Sequence, residues 1–185
     1  MYLYVALLRG INVGGSNLIR MPALKACFED QGHGDVATYI QSGNVLFTSS
    51  SSDRPKLTRQ IEEGLSNTFA CQSRVVVRSY EQMKRVIAGA PKGFGARATA
   101  YRYDVIFLKE PLTAAVAMKS VSAKPGVDRV FAGDGVLYFS RLISRAAQSH
   151  LSRIVSKPEY QNMTIRNWNT TGKLLELMER IRSRA

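Results

Sequence analysis

The sequence predicts an α+β protein whose two halves repeat one order of strands and helices around antiparallel sheets. Three observations predict it. A β-α-β-β-α-β succession of apolar runs and helical stripes occurs twice, and each copy carries a short hairpin signal at its centre. A stretch bearing Pro91, Gly93 and Gly95 separates the copies. This order is the ferredoxin-like, split β-α-β arrangement, and here a further helix follows each copy. The expected organisation is a first subdomain at residues 1–89, a linker loop at 90–100 and a second subdomain at 101–185. The repeat is one of element order, with little residue identity between copies.

In the first copy, Tyr2 to Leu8 is a nearly continuous apolar run and reads as a buried strand. A helix follows from about Met21 to Gln31, with Pro22 in its first turn and Gly32 and Gly34 ending it. Val36–Ile40 and Val45–Thr48 are strands around the polar turn Gln41-Ser42-Gly43-Asn44. Pro55 opens a helix with the stripe Leu57, Ile61, Leu65 and Phe69, and Arg74–Arg78 closes the copy as a strand. Ser79 and Gln82 form a capping box for the trailing helix, which runs to about Ala88.

The second copy begins with a strand at Tyr103–Leu108. Pro111 is expected to start a helix containing Leu112, Val116 and Met118. Val127–Phe131 and Val136–Ser140 flank the hairpin signal Gly133-Asp134-Gly135. Ser149 is expected to cap a helix through Leu151, Ile154 and Val155. Met163–Arg166 is a short last strand, and a helix from about Thr171 to Arg182 carries the stripe Leu174, Leu177, Met178 and Ile181. Such a sheet has one face that its own helices leave uncovered.

Composition removes several classes of chemistry. The 185 residues are 45% hydrophobic and 22% charged, which is ordinary for a globular chain and excludes a disordered one. No apolar run reaches the ~20 residues of a membrane span, and no basic-then-apolar leader opens the chain, so a cytoplasmic protein is expected. Cys27 and Cys71 have no metal or redox spacing and read as reduced, small hydrophobes. His33 and His150 are the only histidines, so a histidine-rich metal site is excluded. No motif calls for a cofactor, and none is expected. The net charge is +12, and it is lopsided. Residues 1–79 hold 8 basic and 6 acidic side chains, whereas residues 80–185 hold 18 and 8. The second half is therefore the expected place of any weak, salt-dependent polyanion contact.

Three short motifs concentrate polar chemistry. Arg9-Gly10-Ile11-Asn12-Val13-Gly14-Gly15-Ser16-Asn17 follows the first strand. It imitates a P-loop but has Ser16 where the lysine belongs and Asn17 where magnesium would be held, so an ATP-hydrolysing P-loop is not expected. Glycines there permit close backbone approach to a ligand, and Arg9, Asn12 and Asn17 supply hydrogen bonds. Alternatively, the segment is a glycine turn. The hairpin holding Gln41, Ser42 and Asn44 offers amides for a base edge or a carboxylate, or is plain turn chemistry. Thr164-Ile165-Arg166-Asn167-Trp168-Asn169-Thr170 contains the only tryptophan, a guanidinium and two asparagines at a strand-to-helix junction. Asn169 or Thr170 could equally cap the helix, and Trp168 could be core. Lys92-Gly93-Phe94-Gly95 copies the start of an RNA-recognition motif without its remainder. Tyr4 with Phe47 and Phe107 with Tyr138 are the better base-stacking candidates, against a core role for all four.

The runs RGINVGG, TYIQSGNV, PKGFG and RNWNT, in this order, resemble the signature of an uncharacterised bacterial family, domain of unknown function family 1697. The resemblance spans essentially the whole chain and departs from the family at Ser16 and Leu18. It implies two α/β subdomains of roughly ferredoxin-like design, and no established activity, cofactor or substrate.

The expected function is binding of a phosphorylated or nucleotide-like ligand, or of nucleic acid. The expected contacts are Arg9, Asn12, Asn17, Gln41, Ser42, Asn44, Arg166, Asn167, Trp168 and Asn169. Strand order alone places Arg9 and Asn12 near Ser42 and Asn44, and packing of the second subdomain on that edge would add Arg166. Two alternatives are that the polar motifs only hold the subdomain interface together, and that the site is a metal-independent transferase or hydrolase. The nearest strand-end acids for the latter are Asp104 and Glu110.

Overall fold

The computed structural model describes residues 1–11, 18–70 and 72–184. It contains two four-stranded antiparallel sheets of identical topology. The first holds β1 (Tyr2–Arg9), β2 (Gly34–Tyr39), β3 (Asn44–Ser49) and β4 (Arg74–Ser79) in the order β2-β3-β1-β4. The second holds β5 (Tyr101–Leu108), β6 (Asp128–Ala132), β7 (Val136–Leu142) and β8 (Met163–Asn167) in the order β6-β7-β5-β8. The helices are α1 (Met21–Glu29), α2 (Arg54–Phe69), α3 (Tyr80–Ala88), α4 (Ala114–Ser120) and α5 (Trp168–Arg182). The fold is the tandem ferredoxin-like α+β arrangement. Two compact units divide the chain, Met1–Met83 with Leu174–Ala185, and Lys84–Lys173, so the divisions fall within α3 and α5.

In the first unit, one face of the sheet packs Ala6, Phe47 and Val77 against Leu24 and Phe28 of α1 and the Leu57, Ile61 and Leu65 stripe of α2. Each fully buried Val, Leu, Ile or Phe among them contributes roughly 1.5–3 kcal/mol. Asp53 caps α2 by accepting from the Lys56 amide at 2.9 Å. The Ser79–Gln82 capping box forms in both directions, at 3.0 and 3.3 Å. Cys27 is buried, and Cys71 lies outside the described residues. The His33 ring packs 4.7 Å from that of Phe47 in the turn after α1, and burial pushes its imidazole down.

The second unit differs from expectation in two places. Pro111 does not begin a helix. Leu112 donates its amide to the Lys109 carbonyl, and α4 starts at Ala114, where the Thr113 hydroxyl accepts from the Val116 amide. The helix expected after Ser149 is replaced by three 3-10 turns at Ile143–Gln148, Leu151–Ser156 and Pro158–Asn162. Ser149 does accept from Leu151, but Leu151 and Ile154 alone reach the core while Val155 is 60% exposed. Two anchors three residues apart suit a 3-10 turn as well as an α-helix, and Pro158 stops further growth.

Candidate functional site

The stretch expected as a linker packs onto the sheet of the second unit. Phe94 sits edge-on to Tyr103, Tyr138 and Trp168, with ring centroids 4.8, 5.4 and 5.2 Å away. Gly95 has φ +89°, and a Cβ there would lie 2.5 Å from the indole nitrogen of Trp168, so only glycine lets the indole close on this loop. The Tyr138 hydroxyl donates to the Val86 carbonyl at 2.6 Å, and burial, then the charge of Asp134, pushes it up to about 12. Tyr4, Phe47, Phe107 and Tyr138, the four stacking candidates, are all core residues.

Beside Trp168 opens a cleft of about 450 Å³, whose polar lining is Arg102, Arg141, Asn167 and Asn169 and whose walls include Tyr101 and Tyr103. Strand pairing builds it. Arg102 of β5 stands directly opposite Arg141 of β7, and Asp104, two residues along, stands opposite Asn167 of β8. Asp104 is 4% exposed and lies between the two guanidinium groups, 3.8 Å from Arg102 and 3.7 Å from Arg141. Its Oδ2 accepts no hydrogen bond among the described residues. Burial pushes this carboxyl above the usual range, against the pull of Arg141, Arg102 and the Asn167 amide. Geometry of this kind leaves both guanidinium groups incompletely neutralised at the mouth of a partly apolar cleft.

The expected contacts divide between the units. Arg166 is buried and donates to the Ile165 carbonyl at 2.9 Å, and desolvation pulls its guanidinium down to about 10. Asn167 donates its amide to the Tyr103 carbonyl at 3.1 Å and accepts from the Asn169 amide, so Asn167 rather than Asn169 or Thr170 caps α5. Trp168 and Asn169 line the cleft. In the first unit, Arg9 stands opposite Arg74, and Leu8 donates to the Gly43 carbonyl at 2.8 Å, which brings the end of β1 beside the hairpin as strand order predicts. Asn44 is buried and donates to the Tyr39 carbonyl and to Ser42 Oγ, both at 3.0 Å, while Gln41 and Ser42 are exposed. Asn12 and Asn17 lie outside the described residues.

Sequence reasoning missed Arg102 and Arg141, whose partnership exists only through strand register. No group of three or more His, Cys, Asp and Glu suited to a metal occurs among the described residues, and none of their helices is long and apolar enough to cross a membrane.

Fold and cleft together define a tandem ferredoxin-like protein with an arginine- and aromatic-lined recess in its second unit. The chain belongs to the family described as "Protein of unknown function (DUF1697)", whose model matches residues 1–138. It is similar in fold to the conserved bacterial protein SP0830 from Streptococcus pneumoniae, with a TM-score of 0.84 and 24% identity over 96% of this chain and 98% of that one. No curated protein matches the sequence.

Proposed function

We propose that the protein binds an anionic ligand carrying a planar ring, of nucleotide type, in the cleft of the second unit. The observation that carries this reading is the lining: two guanidinium groups and the rings of Trp168 and Tyr101, with no carboxylate among the lining residues. Arginine suits the anion, since its fork of donors matches phosphate geometry, and the aromatic walls suit a base. Asp104 acts as the internal counterion that an incoming phosphate displaces. Residues 80–185 carry most of the net charge, which favours the same ligand class.

The alternative anion contact, in the first unit, is Arg9 with Gln41 and Ser42, supported by the like charge of Arg74 opposite Arg9. For Asn44 and Asn167, the backbone carbonyls they serve favour a structural role.

A thermal-shift series with 5′-nucleotides and phosphorylated sugars tests the reading on wild type, Arg102→Ala and Arg141→Ala. Nucleotides are expected to raise the midpoint of wild type and not of either variant, because binding to the folded state alone stabilises by mass action. Equal shifts in all three proteins would refute the cleft as the site.

A further inference from the structure

A second cleft, of about 290 Å³, lies on the sheet face opposite the core of the second unit and shares Tyr101 and Tyr103 with the first, whose Arg102 and Arg141 stand on the other face beside the stretch of β5 that β8 leaves unpaired. Its other walls include Lys92, Arg97, Arg129 and Phe131. Register sets these side chains on one face: Arg129 of β6 pairs with Ser140 of β7, which pairs with Tyr103 of β5, and Phe131 pairs with Tyr138 in the next row. The Arg97 and Arg129 guanidinium groups lie 5.5 and 6.0 Å from the Tyr101 ring centroid, within cation–π range. Phe131 is 43% exposed, a large ring left in water at the far end of the row. Together the two clefts present five basic side chains and no carboxylate among their lining residues.

We infer that the two clefts form one track for single-stranded nucleic acid, with bases on Phe131, Tyr101 and Trp168, phosphates held by Arg97 and Arg129 beside the rings, and a terminal phosphate reaching Arg102 and Arg141 where the first cleft passes around the edge of β5. The inference rests on the proposed nucleotide reading of the first cleft and extends it to a polymer. Alternation of rings with guanidinium groups is what a single strand requires, since every base has a stacking face and every linkage a charge. Neighbouring strands are ~4.8 Å apart, so the track from β6 across to β5 and Trp168 spans room for two or three nucleotides, the number that one four-stranded sheet face accommodates. A duplex cannot lay its bases on these rings, which sets the preference for single strands. The Lys92-Gly93-Phe94-Gly95 loop thus supplies one rim of the track through Lys92 and Arg97, while its Phe94 is spent inside the aromatic cluster.

Calorimetric titration with adenosine 5′-monophosphate, oligoadenylates of two to six residues and a short duplex, at low salt, tests the track. Wild type, Phe131→Ala, Arg129→Ala and Arg141→Ala are compared; Phe131 and Arg129 are exposed, so their loss leaves the fold intact. Affinity is expected to rise at least ten-fold from the mononucleotide to the trinucleotide and then level off. Phe131→Ala and Arg129→Ala should abolish that gain while leaving the monophosphate bound as in wild type, and Arg141→Ala should weaken every ligand. For the trinucleotide, log K should fall with log salt at a slope near −2, as for about three neutralised phosphates on a single strand. A trinucleotide no tighter than the monophosphate would overturn the track and leave the nucleotide cleft standing. A duplex bound as tightly as the single strand would also overturn it. Failure of wild type to bind any of these ligands would overturn both readings.

Discussion

The two units can be laid over each other residue by residue through their strand registers, and the places where they part company are informative. Val5 stands opposite Arg78, as Val105 stands opposite Arg166. Both arginines are buried, and each donates to the carbonyl of the residue before it, at 3.1 and 2.9 Å. One step along, Tyr4 stands between Phe47 and Ser79, whereas Asp104 stands between Phe139 and Asn167. In the first unit that position is filled by a ring stacked 5.6 Å from Phe47, its hydroxyl donating to the Ser51 carbonyl, under a 16-residue α2. In the second unit a carboxylate sits between two arginines, and 3-10 turns replace the helix. The two units share one strand topology, and the register position that holds a ring in the first holds a carboxyl beside a cleft in the second. An unneeded buried carboxylate is costly, so its presence beside the cleft supports the proposed site in the second unit.

The equivalence of the buried arginines makes the largest prediction. Arg78→Ala and Arg166→Ala should each lower stability by roughly 3 kcal/mol, the range for truncating a long, fully buried side chain, as read from urea unfolding. A large loss in one and none in the other would break the correspondence.

A smaller effect separates the units by ligand. Gly95→Ala should force the Trp168 indole from the cleft and weaken nucleotide binding about ten-fold, or ~1.4 kcal/mol, by calorimetry. Unchanged affinity would remove Trp168 from the site.

Asp104 gives the pH dependence. Its carboxyl is raised, so its ionised form is worse off folded than unfolded. The associated stability is fully present below the ordinary carboxylate value and is lost as pH rises through the raised one. Over the same interval, ionised Asp104 competes for Arg102 and Arg141, the charged groups that flank it from β5 and β7. Binding of a phosphodiester, which does not titrate there, should tighten a few-fold as pH falls through that window. Asp104→Asn should bind at the tighter level throughout and show no such dependence.

Much of the scaffold was legible because its signals are local. The Ser79–Gln82 box, the Leu57–Ile61–Leu65 stripe and the Gly133-Asp134-Gly135 hairpin each need only neighbouring residues. Proximity of Arg9 to the Asn44 hairpin was also legible, from strand order. The 3-10 turns were not, since Leu151 and Ile154 fit either helix and the decision lay with how much core they meet. Nor was the cleft, since Arg102 and Arg141 are 39 positions apart in sequence and become neighbours only through the β5–β7 register. Of the RNWNT run, Asn167, Trp168 and Asn169 line the cleft, Asn167 also capping the helix, while Arg166 is buried.

Trp168 is the sole tryptophan, so its indole N–H gives a single resonance that reports on the cleft alone. Titrating adenosine 5′-monophosphate into ¹⁵N-labelled protein should move that resonance saturably, together with backbone amides of Arg102, Arg141 and Asn169, and should leave the amides of β2 and β3 in place. Saturable shifts confined to the first unit, or a Trp168 resonance that stays fixed while the nucleotide binds, would contradict the account.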